Sequence, residues 1–205
     1  MRINKKNFIY LVSPNKITNN NFYNDLNEVL KIKKISFFQL RLKNTKMKMK
    51  LQIGKKIKKI CKKFNVKFII NDDPLLTKKL NADGCHLGQK DMGINEARKI
   101  LKNKIIGITC HNSLKLAKIA ITNNVDYIAF GAFNNSKTKK VTFRAKTSTL
   151  LSIKKMTKIP IVAIGGINSK NYKKLLLNKA NFLAISGYIW NNKKYKPSEA
   201  IKKIK

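Results

Sequence analysis

The chain has 205 residues, 43% of them hydrophobic, with 46 Lys or Arg against nine Asp or Glu and a formal net charge of +37. This length and hydrophobic content predict one folded domain with a sizeable core and exclude a disordered protein. No apolar run approaches the ~20 residues that a membrane-spanning helix needs, and the three cysteines lack metal-ligand spacing, which predicts reduced thiols in the cytoplasm.

Eight short apolar segments predict parallel strands that are covered on both faces. In chain order they span residues 8–13, 35–43, 68–72, 84–88, 105–110, 127–133, 159–166 and 182–187. Amphipathic, Lys-rich stretches with helical spacing lie between them, at 21–34, 47–64 and 112–123. A short connection covers 73–80, and the pair Asn168–Ser169 can cap a further helix.

Eight strands that alternate with helices predict an α/β protein, a single-domain (β/α)8 TIM barrel over residues 1–205. A doubly wound open sheet is the alternative, but no GxGxxG follows an early strand. In a barrel of this kind the active site lies at the carboxyl ends of the strands, so the polar residues found there are the candidate site residues.

The distribution of the positive charge favours composition bias over a dedicated binding surface. The lysines occur in nearly every segment, and few aromatic residues are interleaved with them as single-strand stacking requires. We therefore expect no specific nucleic-acid partner and no membrane partner, with a basic nucleic-acid-binding protein kept as an alternative. The charge should still attract small polyanionic ligands.

Polar side chains occupy alternate positions near the end of the second predicted strand, at Gln39, Arg41 and Lys43. Side chains two apart share one face of a strand, so these three are expected to point into the barrel and Leu40 and Leu42 towards the helices. Two cations and an amide on an inner face need an anionic partner. An exposed edge strand is the alternative, which the apolar ISFF before it disfavours.

Two scarce carboxylates, Asp72 and Asp91, follow neighbouring predicted strands and can approach each other. Mg²⁺ is commonly held by one or two carboxylates together with water and substrate phosphate, so the pair predicts an Mg²⁺ site. The alternative is that each caps a helix, Asp72 after the third strand and Asp91 near Met92. Asp73 and Asp83 are interpreted as cap or turn residues.

A second anion site is expected across the rim, where the Gly165–Gly166 pair and Ser186 end the last two strands. Backbone N–H groups at this place commonly hold a phosphate in such barrels. The first anion site would hold a diphosphate-like group with Mg²⁺, Arg41, Lys43 and Lys139. The barrel mouth would then bring two phosphorylated substrates together. That arrangement suggests a transferase.

Six motifs, in order, resemble the thiamine phosphate synthase family over nearly the whole chain. They are QLRLK (39–43), NDDPLLTKKLNADGCHLGQKD (71–91), GITCH (107–111), GAFNNSKTK (131–139), AIGGI (163–167) and IS (185–186). The resemblance implies an Mg²⁺-dependent condensation of hydroxymethylpyrimidine diphosphate with hydroxyethylthiazole phosphate. The products would be thiamine monophosphate and diphosphate.

The resemblance also implies roles for individual residues. Arg41, Lys43, Thr109 and Lys139 would act in catalysis, and Asp72 and Asp91 would hold Mg²⁺. The pyrimidine diphosphate would be bound by Gln39, Leu40, Arg41, Leu42, Lys43, Asn71, Thr109 and Lys139. The thiazole phosphate would be bound by Ser136, Lys137, Thr138, Gly166, Ile185 and Ser186.

Two positions depart from the family pattern: Thr109 replaces a serine and Ser136 replaces a threonine, although both keep a hydroxyl. His111 is expected to support substrate binding, whereas His86 is interpreted as structural because Cys85 and Leu87 flank it in a buried strand. A thiazole tautomerase of the same fold is the rival function. A homodimer is the candidate oligomeric state.

Overall fold

A computed structural model describes residues 7–135 and 141–204 of the chain. Eight parallel strands close into a barrel in sequence order, so the predicted single-domain (β/α)8 TIM barrel is confirmed. The strands are β1 (Ile9–Val12), β2 (Ile35–Leu40), β3 (Lys67–Asn71), β4 (Gly84–Leu87), β5 (Ile105–Thr109), β6 (Tyr127–Phe130), β7 (Ile161–Ile164) and β8 (Phe182–Ile185).

Helices connect the strands on the outside of the barrel. They are α1 (Asn21–Leu30), α2 (Met47–Lys63), α3 (Pro74–Leu80), α4 (Ile94–Leu101), α5 (Leu114–Thr122), α6 (Thr147–Met156), α7 (Tyr172–Leu177), α8 (Gly187–Trp190) and α9 (Pro197–Lys202). Helices α8 and α9 follow the last strand and were not predicted. No helix in the described ranges is both long and apolar enough to cross a membrane.

The apolar residues form two layers because side chains alternate along each strand. One layer packs between the strands and the helices and includes Phe38, Leu40 and Ile70. The other fills the barrel interior with Tyr10, Phe37, Ile69, Tyr127, Ala129, Val162 and Phe182. The interior residues nearest the carboxyl ends of the strands form the floor under the barrel mouth.

The second strand is shorter than predicted. Its last pair with β3 is Leu40 with Ile70, and Arg41 and Lys43 lie in the loop that follows. The backbone N–H of Arg41 donates to Ser13 Oγ at 2.9 Å, and that of Lys43 donates to the Asn15 carbonyl at 3.0 Å. These bonds draw the chain towards the β1 loop, so the predicted strand face ends at Gln39 rather than at Lys43.

The helix starts confirm the predicted cap at Asp73, exclude the alternative caps at Asp72 and Asp91, and move the start of one predicted helix. Asp73, not Asp72, caps α3 by accepting a hydrogen bond from the Leu76 N–H at 2.8 Å, an interaction typically worth ~1 kcal/mol. Helix α4 begins at Ile94 after Gly93 and therefore leaves Asp91 outside it. Helix α7 begins at Tyr172, later than the Asn168–Ser169 pair predicted.

Candidate active site

The carboxyl ends of β2, β3 and β4 bring together the charged residues that the sequence analysis singled out. Asp72 directly follows β3, and its backbone N–H donates to the His86 carbonyl of β4 at 2.8 Å. Its φ of +63° is a left-handed conformation that Asp tolerates better than most residues. The turn therefore starts at Asp72 itself and leaves its carboxylate at the mouth.

The carboxylates of Asp72 and Asp91 interact with each other at this mouth. Partial desolvation of the carboxylate, a hydrogen bond with Asp91 and the charge of Asp91 together raise the pKa of Asp72 to about 6, although the residue as a whole is exposed. The cations Arg41 and Lys43 act in the opposite direction. The two carboxylates thus meet as predicted, and neither caps a helix.

Asp91 is fixed by the loop that precedes it. Its Oδ2 accepts a hydrogen bond from the Gly88 N–H at 2.6 Å, and its own N–H donates to the Gly88 carbonyl at 3.4 Å. One carboxylate oxygen is thereby held by the main chain. The reciprocal bonds fix Asp91 in a tight turn next to Asp72.

Arg41 lies between the β1 loop and the carboxylate pair. Its guanidinium donates to Asn15 Oδ1, and burial lowers its pKa while the nearby Asp72 raises it. Lys43 is exposed and lies within electrostatic range of Asp72. Both cations therefore lie at the mouth, although not on the strand that was predicted to carry them.

The other residues predicted to bind the pyrimidine diphosphate lie either in the barrel interior or in the layer between the strands and the helices. Gln39 is buried, with its side chain in the barrel interior, and Asn71 is half-buried at the end of β3. Leu40 packs in the outer layer and Leu42 against it, so their side chains face the helices as predicted. Any contact of these two leucines with a ligand would have to use the main chain.

The opposite rim carries the predicted phosphate residues of β7 and β8. Gly166 has a φ of +61°, and a Cβ there would lie 2.2 Å from the Asn135 carbonyl oxygen, so only glycine fits. The Ser186 hydroxyl donates to the Ser13 carbonyl at 3.0 Å, and the Ile185 side chain packs in the outer layer. A phosphate would therefore meet main-chain groups here as well as side chains.

The loop after β6 lies partly outside the described residues. This applies to four predicted site residues, Ser136, Lys137, Thr138 and Lys139. Next to that loop, the His111 ring lies 4.3 Å from the Phe143 ring, centroid to centroid. His111 is thus held by an aromatic contact beside the mouth.

His86 contributes to the site in a way that the sequence analysis missed. Its Nε2 lies 2.8 Å from Thr109 Oγ1, and its Nδ1 lies 2.9 Å from the Tyr127 hydroxyl. Strand alternation was the available signal, since it places His86 on the opposite face from Cys85 and Leu87. His86 thus faces the barrel interior and contacts a predicted catalytic residue.

Comparison with known proteins decides the family. A model of the thiamine monophosphate synthase family matches residues 9–189. The chain belongs to the thiamine monophosphate synthase family. The resemblance drawn from the six motifs is thereby confirmed.

Individual members of the family resemble the chain over nearly its full length. The thiamine-phosphate synthase of Pelagibacter ubique is 72% identical over 204 residues, covering 100% of this chain and 98% of that protein. That of Rhodospirillum centenum is 35% identical, covering 90% and 89%. The solved thiamine phosphate pyrophosphorylase of Pyrococcus furiosus superposes with a TM-score of 0.84 at 26% identity, covering 98% and 94%.

Proposed function

We propose that this protein is a thiamine phosphate synthase. It would join hydroxymethylpyrimidine diphosphate to hydroxyethylthiazole phosphate and release thiamine monophosphate and diphosphate. Membership of the family and the 72% identity to a synthase support this function. The observation that carries it is the meeting of two carboxylates with Arg41 and Lys43 at the barrel mouth, where a diphosphate with a divalent cation would be bound.

Asp72 and Asp91 fit a magnesium ion, and we propose that they hold it. Their oxygens are hard ligands that lie close together, and Mg²⁺ commonly takes two carboxylates and completes its shell with water and substrate phosphate. Bound there, Mg²⁺ would neutralise charge on the diphosphate. The mutual repulsion of the two carboxylates would be relieved at the same time.

The cations of the chain would stabilise the leaving group. As the bond from the pyrimidine methylene to the diphosphate breaks, negative charge develops on the departing oxygen. Arg41 and Lys43 lie on the side of the mouth where that charge would form, and Lys139 is proposed to join them. Preformed positive charge of this kind lowers the barrier because it needs no reorganisation during the reaction.

Positioning would supply much of the remaining catalysis. The aminopyrimidine is electron-rich and can carry the cation left when diphosphate departs, so the thiazole nitrogen needs alignment more than a strong base. The thiazole phosphate would be anchored across the mouth by Gly166, Ile185, Ser186 and the residues 136–138. Its anchor lies opposite the carboxylate pair, which would direct the nitrogen towards the methylene carbon.

A thiazole tautomerase remains the rival function in the same fold. It would use the phosphate anchor near Gly166 but would not need the carboxylate pair with its two cations. Purified protein incubated with both substrates and Mg²⁺ should yield thiamine monophosphate, separated by chromatography. A protein that only interconverts thiazole phosphate isomers would be a tautomerase instead.

The metal role can be tested with a matched pair of variants. Asp91→Asn should lower kcat/KM about 100-fold at limiting Mg²⁺, and excess Mg²⁺ should restore part of the loss. Asp73→Asn removes the same charge one residue from Asp72 but retains a capping side chain, so it should keep near-normal activity. Equal losses in the two variants would show that general charge, and not a metal ligand, is responsible.

Three further features of the proposal come from the sequence alone. A cytoplasmic location, a homodimer and the absence of a specific nucleic-acid partner all remain predictions from the sequence. Small-molecule substrates are the partners that the family supports.

A further inference from the structure

A chain of hydrogen-bonded side chains crosses the barrel interior and ends at Thr109. It joins five different strands, β2, β1, β6, β4 and β5. In order, its members are Gln39, Tyr10, Tyr127, His86 and Thr109. Gln39 and Thr109, at its two ends, are both predicted to contact the pyrimidine diphosphate, whereas the three residues between them have no assigned role.

All four contacts lie within hydrogen-bond distance, and those between Gln39, Tyr10 and Tyr127 are buried. The amide nitrogen of Gln39 lies 3.3 Å from the Tyr10 hydroxyl, which lies 2.8 Å from the Tyr127 hydroxyl. The Tyr127 hydroxyl lies 2.9 Å from His86 Nδ1, and His86 Nε2 lies 2.8 Å from Thr109 Oγ1. Tyr10 is 2% exposed and Tyr127 is 1% exposed, so the two phenol hydroxyls are shielded from water, whereas His86 and Thr109 are half-buried.

The barrel is shaped to hold the central tyrosine. A Cβ at Gly107 would lie 1.9 Å from the Tyr127 ring, so the ring occupies the space that any other residue would fill. The His86 ring stacks on the Tyr127 ring, with 5.6 Å between centroids and an interplanar angle of 13°. Burial raises the pKa of both Tyr10 and Tyr127, so both phenols keep their protons as donors.

The Gln39 amide N–H sets which partner donates in each of these hydrogen bonds. Gln39 donates its amide N–H to the Tyr10 hydroxyl. We infer that Tyr10 in turn donates a hydrogen bond to the Tyr127 hydroxyl, and that Tyr127 donates one to His86 Nδ1. A neutral imidazole that accepts at Nδ1 carries its proton on Nε2, which donates to Thr109 Oγ1. The Thr109 hydroxyl then keeps its proton for another acceptor.

The opposite direction would leave a buried donor without an acceptor. If Thr109 donated to His86 Nε2, His86 would carry its proton on Nδ1 and donate to Tyr127. Tyr127 would then donate to Tyr10. The Tyr10 hydroxyl would then point its proton at the amide N–H of Gln39, which is also a donor. A buried polar group left unsatisfied in this way typically costs ~1–3 kcal/mol.

We propose that Tyr10, Tyr127 and His86 are positioning residues that hold the Thr109 hydroxyl with its proton directed at the substrate diphosphate. The proposal rests on the proposed synthase function and assigns His86 a task beyond packing. Thr109 is β-branched and has few rotamers, so the bond from His86 selects its orientation. The hydrogen-bonded side chains thereby preorganise a neutral donor at the end of β5, beside the Gly88–Asp91 loop, where Gln89 Nε2 donates to the Thr109 carbonyl at 2.6 Å.

The proton on His86 can be observed without any assay of activity. The sequence holds only two histidines, so the ¹⁵N imidazole spectrum of a His111→Gln variant reports His86 alone. We expect Nε2 to be protonated and Nδ1 to be unprotonated, with the preference weakened in a Tyr127→Phe background. A proton on Nδ1 would overturn the proposal, whatever reaction the protein catalyses.

A double-mutant cycle tests whether the hydrogen-bonded side chains act through Thr109. Thr109→Val keeps the shape but removes the hydroxyl and should lower kcat/KM for the pyrimidine diphosphate on the order of 100-fold. Tyr127→Phe should lower it about tenfold, the effect of one hydrogen bond. If Tyr127 works through the hydroxyl, the double variant should be no worse than Thr109→Val alone.

The outcomes separate this proposal from the proposed function. Additive losses in an active enzyme would contradict the positioning role and leave the synthase intact. A wild-type protein without synthase activity would contradict the function, while the imidazole spectrum still decides the direction of the chain. Tyr23→Phe, a tyrosine on the outer helix α1, is the matched control and should leave kcat/KM and melting temperature unchanged.

Discussion

The ionised form of Asp72 is disfavoured in the folded protein. Its pKa of about 6 lies above the ordinary value of 3.8 because of desolvation and the neighbouring Asp91. Between these two values the folded protein holds a proton that the unfolded chain has lost. The contribution of Asp72 to stability therefore falls as the pH rises through this window and remains unfavourable above it.

Removing this charge should stabilise the protein while impairing the site. In Mg²⁺-free buffer at about pH 8, Asp72→Asn should raise the melting temperature by about 2–4 °C, a shift that ~1 kcal/mol produces in a domain of this size. At about pH 4 the gain should shrink, because the folded wild-type protein is then protonated at Asp72. Scanning calorimetry of both proteins at the two pH values would measure this difference in melting temperature.

The magnesium response of the same variant provides the control. Added Mg²⁺ should raise the melting temperature of the wild-type protein but not that of Asp72→Asn. Asn suits the left-handed backbone at this position, so backbone strain does not confuse the comparison. A lower melting temperature for Asp72→Asn at high pH would show that its charge is well compensated and contradict the account.

At the scale of strands and helices, the packing of β5 against β6 depends on the absence of one side chain. Gly107→Ala would place a Cβ 1.9 Å from the Tyr127 ring, which lies enclosed in the interior and cannot easily move aside. Overpacking of this kind typically costs about 1–3 kcal/mol. We expect a loss of that size in the free energy of unfolding measured in urea, with reduced activity in the folded protein.

A second glycine offers a matched substitution. Gly93 precedes α4, and a Cβ there would meet no atom within 4 Å. Gly93→Ala should therefore change the free energy of unfolding by less than about 1 kcal/mol. If the two variants were equally stable, the interior would be looser than the structure indicates.

The strands could be predicted from sequence, but their ends could not. Apolar runs such as ISFF identify buried parallel strands because both faces are covered. The end of β2 instead depends on bonds from Arg41 and Lys43 to the β1 loop, which no local pattern encodes. The two cations were thus predicted at the correct rim of the barrel, but they lie in the loop after β2 and not on the strand.

The interior chain was missed for a related reason. Tyr10 and Tyr127 are separated by 117 positions, and each alone reads as an ordinary buried aromatic residue. Their hydroxyls meet only because closure of the barrel brings non-neighbouring strands face to face. By contrast, Asp72 and Asp91 follow adjacent strands, so their meeting could be predicted from strand order.

At the scale of the whole molecule, the net charge of +37 should cause self-repulsion. Salt screens this repulsion, so the melting temperature should rise between about 20 and 200 mM NaCl, where the Debye length falls from ~20 Å to below 10 Å. Differential scanning fluorimetry across this series would detect it. An unchanged or falling melting temperature would show that the charges are already balanced locally or by bound anions.

The same charge should give weak, nonspecific binding to nucleic acid. Its affinity should fall log-linearly with salt and show no dependence on sequence, because only phosphates are contacted. Fluorescence anisotropy with several unrelated oligonucleotides would measure this. A strong preference for one sequence would favour the alternative of a dedicated nucleic-acid-binding protein.

Release of diphosphate by the purified protein tests the proposed synthase function most directly. The pyrimidine diphosphate, the thiazole phosphate and Mg²⁺ would each be present or omitted, and both diphosphate and thiamine monophosphate would be quantified. The account predicts release only when all three are present, with the two products in equal amounts. A folded protein that releases no diphosphate under any combination would contradict it.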